Sequence, residues 1–179
     1  MNKVSIKRSG FHIRRAVTDD ARGIAKVQVD SWRTTYKNII PDVYLQQMTY
    51  ESRETTWKNI ISEQAVFVAE TEAGEIIGFS NGGSERSGNY PDYQGELYAI
   101  YILEQFQRRG IGKLLLEPIV LELVADEIRS MTVQVLEEND SRLFYESLGA
   151  EKIDVLELEI LGKRLKELVY GWDDIRTLL

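Results

Sequence analysis

The chain has 179 residues, with 22 Lys and Arg against 29 Asp and Glu and a formal charge of −7 at pH 7; that balance argues against a nucleic-acid partner. A hydrophobic share of 43% and a charged share of 28% suit a globular protein, and the length suits a single domain over residues 1–179 with a sizeable core. Cysteine is absent and His12 is the one histidine, which removes disulfide scaffolds, thiolate zinc sites, cysteine nucleophiles and nearly every histidine-based triad. Catalysis must then run on carboxylate, phenol, amine or backbone groups, with no metal expected.

No uninterrupted apolar stretch approaches the length of a membrane span, and Met1 to Gly10 is short, polar and without an apolar core; no membrane association is expected, and the cytoplasm is the expected location. Phe11 to Arg15 alternates as a short strand. Thr18, followed by Asp19 and Asp20, predicts an N-cap with acids in the first turn of a helix over residues 19–35. Asn38 to Pro41 breaks that helix, and helical spacing returns in Val43 to Met48 and Glu51 to Ile61. Ala65 to Glu70 and Ile76 to Asn81 form a hairpin around residues 71–75. Gly82 to Gly95 is polar and glycine-rich and predicts a long loop, a length that suggests a job. Glu96 to Leu103 is a strong strand. A helix follows from about Gly110 to Glu127, with Pro118 inside it expected to bend or interrupt it. Met131 to Leu136 is a strand, Asn139 to Leu148 a helix closed by Gly149, and Lys152 to Leu161 and Lys163 to Trp172 a hairpin around Gly162. This order implies a mixed sheet with helices on its faces, Glu96 to Leu136 forming a parallel strand–helix–strand crossover.

Gln107-Arg108-Arg109-Gly110-Ile111-Gly112 lies between that strand and that helix, where phosphate sites are built. Glycines allow close backbone approach, the first helical turn leaves amides unpaired at a positive dipole end, and Arg108, Arg109 and Lys113 add positive charge against the global sign. The spacing excludes a P-loop, and Leu115 stands where a dinucleotide fingerprint needs a third glycine. A plain tightening of the strand-to-helix turn is the bland alternative.

The same six residues resemble the Q/R-x-x-G-x-G/A signature of the GNAT superfamily of N-acetyltransferases. Ile13 to Ala16 with Thr18 to Asp20, Ser31 to Arg33 with Tyr36 to Pro41, and Asn139 to Gly149 are similar to further parts of that family, in the right order. The resemblance implies an α+β fold: a mixed, mostly antiparallel sheet of about seven strands, flanked by about four helices, with one central parallel unit. It also implies acetyl-CoA as acyl donor, its pyrophosphate on the amides from Gln107 to Lys113 and its pantetheine arm along Ile100, Tyr101 and Ile102, whose backbone N–H groups would stabilise the oxyanion. Asn139 would bond the same arm, or equally cap a helix.

Acetyl transfer to an amine needs a proton acceptor, because an alkylammonium has a pKa near ~10. Glu96 sits at the spacing of the family's glutamate base; the alternative is a strand-end carboxylate in water. Tyr145 matches the family's general acid, a phenol that stays protonated at neutral pH, while Phe144 and Leu148 fit a helix face packed on the sheet. Without cysteine a thiol-linked acyl-enzyme is impossible, so direct attack in a ternary complex is the natural mechanism. Trp32, Tyr36, Tyr90 and Tyr93 are candidates for lining the acceptor pocket, with core packing the alternative for the first two. The acceptor would be a small-molecule or peptide amine. A catalytically silent acyl-CoA-binding module needs the loop but neither Glu96 nor Tyr145. The tail hairpin allows a monomer or a homodimer.

Overall fold

Alternation along the chain becomes one sheet in the computed structural model, which describes residues 5–8 and 10–179; the polar stretch from Met1 to Gly10 falls partly outside the described residues. The strands are β1 (Ser5–Arg8), β2 (Phe11–Arg15), β3 (Ala65–Thr71), β4 (Ile76–Ser84), β5 (Gly95–Ile102), β6 (Met131–Leu136), β7 (Glu151–Ile160) and β8 (Lys163–Trp172). They lie in the order β1-β2-β3-β4-β5-β6-β8-β7. Every pairing is antiparallel except β5 with β6. The helices are α1 (Ala21–Thr35), α2 (Asp42–Gln47), α3 (Tyr50–Glu63), α4 (Ile111–Ala125) and α5 (Arg142–Ser147). This is the mixed, mostly antiparallel fold with one parallel unit that the resemblance implies; the short β1 adds a strand at the edge beside β2.

Two layers of helices explain why β3 and β4 read as near-continuous apolar runs, since a strand covered on both faces has no polar face to show. On one face, Ile24 and Val27 of α1 and Trp57 of α3 are buried against Val66, Val68 and Phe79. On the other, Leu115, Leu116 and Ile119 of α4 meet Phe67, Ile77, Leu97 and Met131. Each such side chain contributes roughly 1.5–3 kcal/mol by leaving water.

Three local expectations are corrected. Thr18 does not cap α1: a single 3₁₀ turn, Thr18–Asp20, precedes the helix, and the Asp20 carboxylate accepts the Val17 N–H at 2.8 Å and the Arg14 guanidinium at 2.7 and 2.8 Å. Charge-assisted bonds outcompete a hydroxyl cap. Burial opposes ionisation of Asp20, but Arg14 and the Val17 amide outweigh it and hold the carboxyl below its ordinary range. Pro118 does not interrupt α4, which runs unbroken from Ile111 to Ala125; burial of its apolar neighbours offsets the lost backbone bond of about 3 kcal/mol. Gly82 to Ser84 are strand rather than loop, because they pair with Leu97, Glu96 and Gly95.

The connection from Glu85 to Gln94 is therefore shorter than expected, and it is pinned at both ends. Glu85 N–H donates to Gln94 O at 2.9 Å, and Gln94 N–H donates to Ser130 Oγ at 3.1 Å. The Tyr93 ring lies flat on β8 at Gly171, where an added Cβ would fall 2.5 Å from a ring carbon. Gly171→Ala is expected to displace Tyr93 and lower stability by about 1–3 kcal/mol through overpacking, read as a lower midpoint in urea melts.

Candidate active site

The site begins where β5 and β6 part. Their parallel ladder holds only Gly95↔Met131, Glu96↔Thr132 and Leu97↔Val133, although β5 runs on to Ile102 and β6 to Leu136. The register of β4 against β5 jumps between Asn81↔Ala99 and Gly82↔Leu97, so Tyr98 is an extra residue on β5. Such a bulge bends a strand and re-aims its next residues. Past the bulge, Leu103 N–H donates to Ile77 O at 3.0 Å. By alternation the backbone of Tyr101 also turns to β4, while that of Ile100 and Ile102 turns into the gap. The Gln107 side chain reaches Ile102 O from the open side, at 3.0 Å.

At the mouth of the gap lies the glycine turn. Arg108 (φ 62°) and Gly110 (φ 78°) both take the left-handed conformation, which winds the chain tightly into α4. Among the described residues, no N–H from Arg108 to Lys113 has a hydrogen-bond acceptor, and α4 has no side-chain cap. The turn from Gln107 to Gly110 is exposed, and a Cβ on Gly110 would meet nothing within 4 Å. A row of orphaned amides at a helix N-terminus, beside open space, fits a diphosphate. Arg109 is partly engaged, donating to Gln105 O at 3.1 Å and lying over the Phe106 ring; Arg108 and Lys113 are exposed. Ile111 buries its side chain in the core, so it offers a ligand its backbone alone. Gly112 makes room for the Phe144 ring, 3.2 Å from where its Cβ would stand.

Glu96 is not a carboxylate in water. It is 4% exposed, on the last stretch of β5 before the gap. Arg86 Nη2 donates to its Oε1 at 2.6 Å, and Arg86 Nε and N–H both donate to its Oε2 at 3.1 Å. The guanidinium also lies 3.8 Å from the centre of the Tyr98 ring. Beside Glu96 in the ladder, Thr132 buries its hydroxyl without a partner among the described residues. Glu167, half-buried on β8, has its pKa raised first by burial and then by the charge of Glu96. An acid whose folded pKa exceeds its unfolded one costs stability while ionised, and the cost vanishes as pH falls through the folded pKa. Glu167→Gln is expected to raise Tm near pH ~8 and leave it unchanged near pH ~3.5.

Tyr145 is the buried residue of α5, 5% exposed, with its ring edge-on to Trp172 at 6.1 Å and to Phe144 at 5.5 Å. Phe144 and Leu148 are only partly buried, so the core face of this helix is centred on Tyr145 instead. Burial, and then the nearby Tyr36, push its phenol pKa up. Tyr36 and Tyr101 are also raised by burial, and their hydroxyls lie 3.4 Å apart. All three phenols are therefore protonated at neutral pH. Trp32 packs on Tyr36, Tyr44 and Tyr101, with its indole N–H buried and unpartnered among the described residues. Asn139 spends its side-chain oxygen on Ser141 N–H at 2.9 Å, a local turn bond ahead of α5, whose N-cap is Ser141. Tyr90 and Tyr93 donate their hydroxyls to Asp154 and Asp173 at 3.0 and 2.9 Å. Burial and these carboxylates push both phenols up to about 12, and both residues anchor the loop.

Sequence reasoning did not single out Arg86 or Glu167. An arginine in a polar loop reads as solvated, and a glutamate between Lys166 and Leu168 reads as an ordinary strand charge. The one available signal was the period-two parity that puts Glu167 on the face of buried Leu165.

A family profile described as an acetyltransferase (GNAT) domain matches residues 62–149. The uncharacterized N-acetyltransferase YuaI of Bacillus subtilis (strain 168) is 45% identical over 166 residues, 93% of this chain and 95% of that protein. Among solved structures, the PaiA N-acetyltransferase of Thermoplasma acidophilum in complex with coenzyme A superposes with a TM-score of 0.73 at 19% identity, covering 90% of this chain and 97% of that one. An N-acetyltransferase of Staphylococcus aureus Mu50 gives 0.71 at 18% identity, covering 91% and 98%. Related over nearly its full length to an N-acetyltransferase, and carrying the glycine turn on the matching fold, the chain belongs to the GNAT superfamily.

Proposed function

We propose that the protein is an acetyl-CoA-dependent N-acetyltransferase that moves the acetyl group, by direct attack in a ternary complex, to a primary amine on a small molecule or a peptide. The observation that carries this reading is the run of unpaired amides from Arg108 to Lys113 at the mouth of a sheet gap, with Glu96 at the gap's closed end. The coenzyme A bound by the Thermoplasma relative supports the same ligand here. Acetyl-CoA supplies an activated thioester; the chain's residues do the rest. The amides from Arg108 to Lys113, helped by the Arg108 and Lys113 side chains, hold the diphosphate, whereas the Gln107 N–H is spent on Glu104 O at 3.1 Å. The backbone of Ile100 and Ile102, turned into the gap, pairs with the extended arm and points N–H groups at the developing oxyanion.

Glu96 takes the proton of the acceptor ammonium, directly or through water, releasing the lone pair that attacks. Attack leaves one surplus proton on the nitrogen; Tyr145, kept protonated by burial, gives its proton to the departing thiolate and recovers one from that nitrogen, so the phenol is restored as the amide forms. Tyr36, Trp32 and Tyr101 form the aromatic wall beside it. The enzyme works in the cytoplasm as a monomer or homodimer, without a metal.

The test is a screen of amines and peptides with acetyl-CoA, following free coenzyme A and acceptor mass together. Mass gain of one acetyl group on an amine is expected; cofactor binding with no release on any acceptor overturns the reading in favour of a silent acyl-CoA-binding module. Tyr145→Phe is expected to lower kcat about 10- to 100-fold with little change in acetyl-CoA affinity.

A further inference from the structure

We propose that Arg86 is a specificity-determining residue: its guanidinium occupies the seat on Glu96 that the acceptor's ammonium takes over, so the site admits amines that arrive charged and turns away uncharged ones. This rests on reading Glu96 as the base and goes further, making Arg86 the cation that the acceptor displaces.

The two partners are unequal in their need for each other. Glu96 is 4% exposed, and among the described residues all its hydrogen bonds come from Arg86. A buried carboxylate stripped of its cation is strongly penalised. Arg86 has no such need, since its side chain is 58% exposed and its guanidinium returns to water by turning about its own bonds. The carboxylate requires a cation; the arginine does not require the carboxylate. An ammonium can make that exchange because it brings both charge and donors. A neutral amine that displaced the Arg86 side chain would leave Glu96 without a counter-charge. Glu167, a second half-buried acid whose charge interacts with that of Glu96, adds to the demand for positive charge.

The exchange needs no movement of the loop. Tyr90, Tyr93 and Gln94 tie it to β7, β8 and Ser130, and Glu85 closes it on Gln94. The Arg86 backbone N–H stays on Oε2. Only the side chain swings, which frees Oε1 and one side of Oε2.

The experiment titrates the coenzyme A-loaded protein with n-butylammonium and, separately, with n-butanol, following the Arg86 Nε–H proton by NMR; that signal is assigned by its loss in Arg86→Lys. With n-butylammonium the proton is expected to move to the position of solvated arginine and to exchange with water about ten-fold faster, while n-butanol leaves it in place. A proton unmoved up to roughly 100 mM ammonium, or moved equally by the alcohol, overturns the proposal. Because the readout requires no turnover, it fails independently of the transferase reading. An amine screen without acetyl transfer, alongside an intact NMR response, would sink the latter and leave the ion exchange standing.

Discussion

Gly110→Asp is expected to weaken acetyl-CoA binding by at least about 100-fold while leaving the protein folded, as read by calorimetric titration beside a thermal melt. The two effects separate because the position is crowded by nothing within 4 Å yet sits at φ 78°. Asp tolerates the left-handed region better than most residues, at a cost of about 1 kcal/mol. It is also a favoured N-cap, so its carboxylate bonds the amides of the first turn of α4 and returns a similar amount to stability. Those are the amides that otherwise face outward. The substitution thus fills the anion seat from within and sets a negative charge against each phosphate, a repulsion of about 1–4 kcal/mol per pair at 4 Å. Gly110→Ala is the control: it carries at least that backbone cost without the charge, and should lose far less affinity. Affinity that persists in the aspartate variant would remove the glycine turn from the binding site.

Glu96→Gln is expected to lower kcat by about 10²- to 10³-fold, with the KM for acetyl-CoA changed by no more than about two-fold. Breaking a buried ion pair by removing one partner costs about 3–5 kcal/mol when the other charge is left stranded. That ceiling does not apply here, because Arg86 is 58% exposed on its side chain and turns to solvent, leaving a neutral amide in the buried position. A near-unchanged Tm beside a collapsed kcat is the pattern expected of a proton acceptor. A large loss of Tm with kcat preserved in the folded fraction would reduce Glu96 to a loop clasp.

Elements were legible in the sequence wherever one physical signal dominated. The apolar runs of β3 and β4, the alternation of β5 and the glycine turn into α4 all announce themselves, because burial on two faces and a left-handed turn restrict residue choice sharply. The cofactor-side candidates from Gln107 to Lys113 were legible for the same reason. The features that stayed hidden depend on contacts far apart in the chain. The bulge at Tyr98 exists only relative to the register of β4. Tyr145 ranks as core above Phe144 only because Trp172 arrives from elsewhere. Arg86 is one exposed cation among many until folding sets it against Glu96. Gly82 and Gly83 read as loop because glycine weakens strands on average, but pairing with Leu97 and Glu96 holds them in β4.

The brevity of the ladder between β5 and β6 has a mechanical consequence. Two half-sheets, β1 to β5 and β6 to β8, are stitched at three residue pairs at one end, and past that seam their alignment depends on side chains and on α4. On the proposed reading, an extended guest laid along the opening would add rungs on the free backbone of Ile100 and Ile102, past the point where the ladder stops. Its binding energy then counts toward the resistance of the whole protein to unfolding, about 2.7 kcal/mol at a hundred times Kd, so the melting temperature becomes a gauge of how full the groove is.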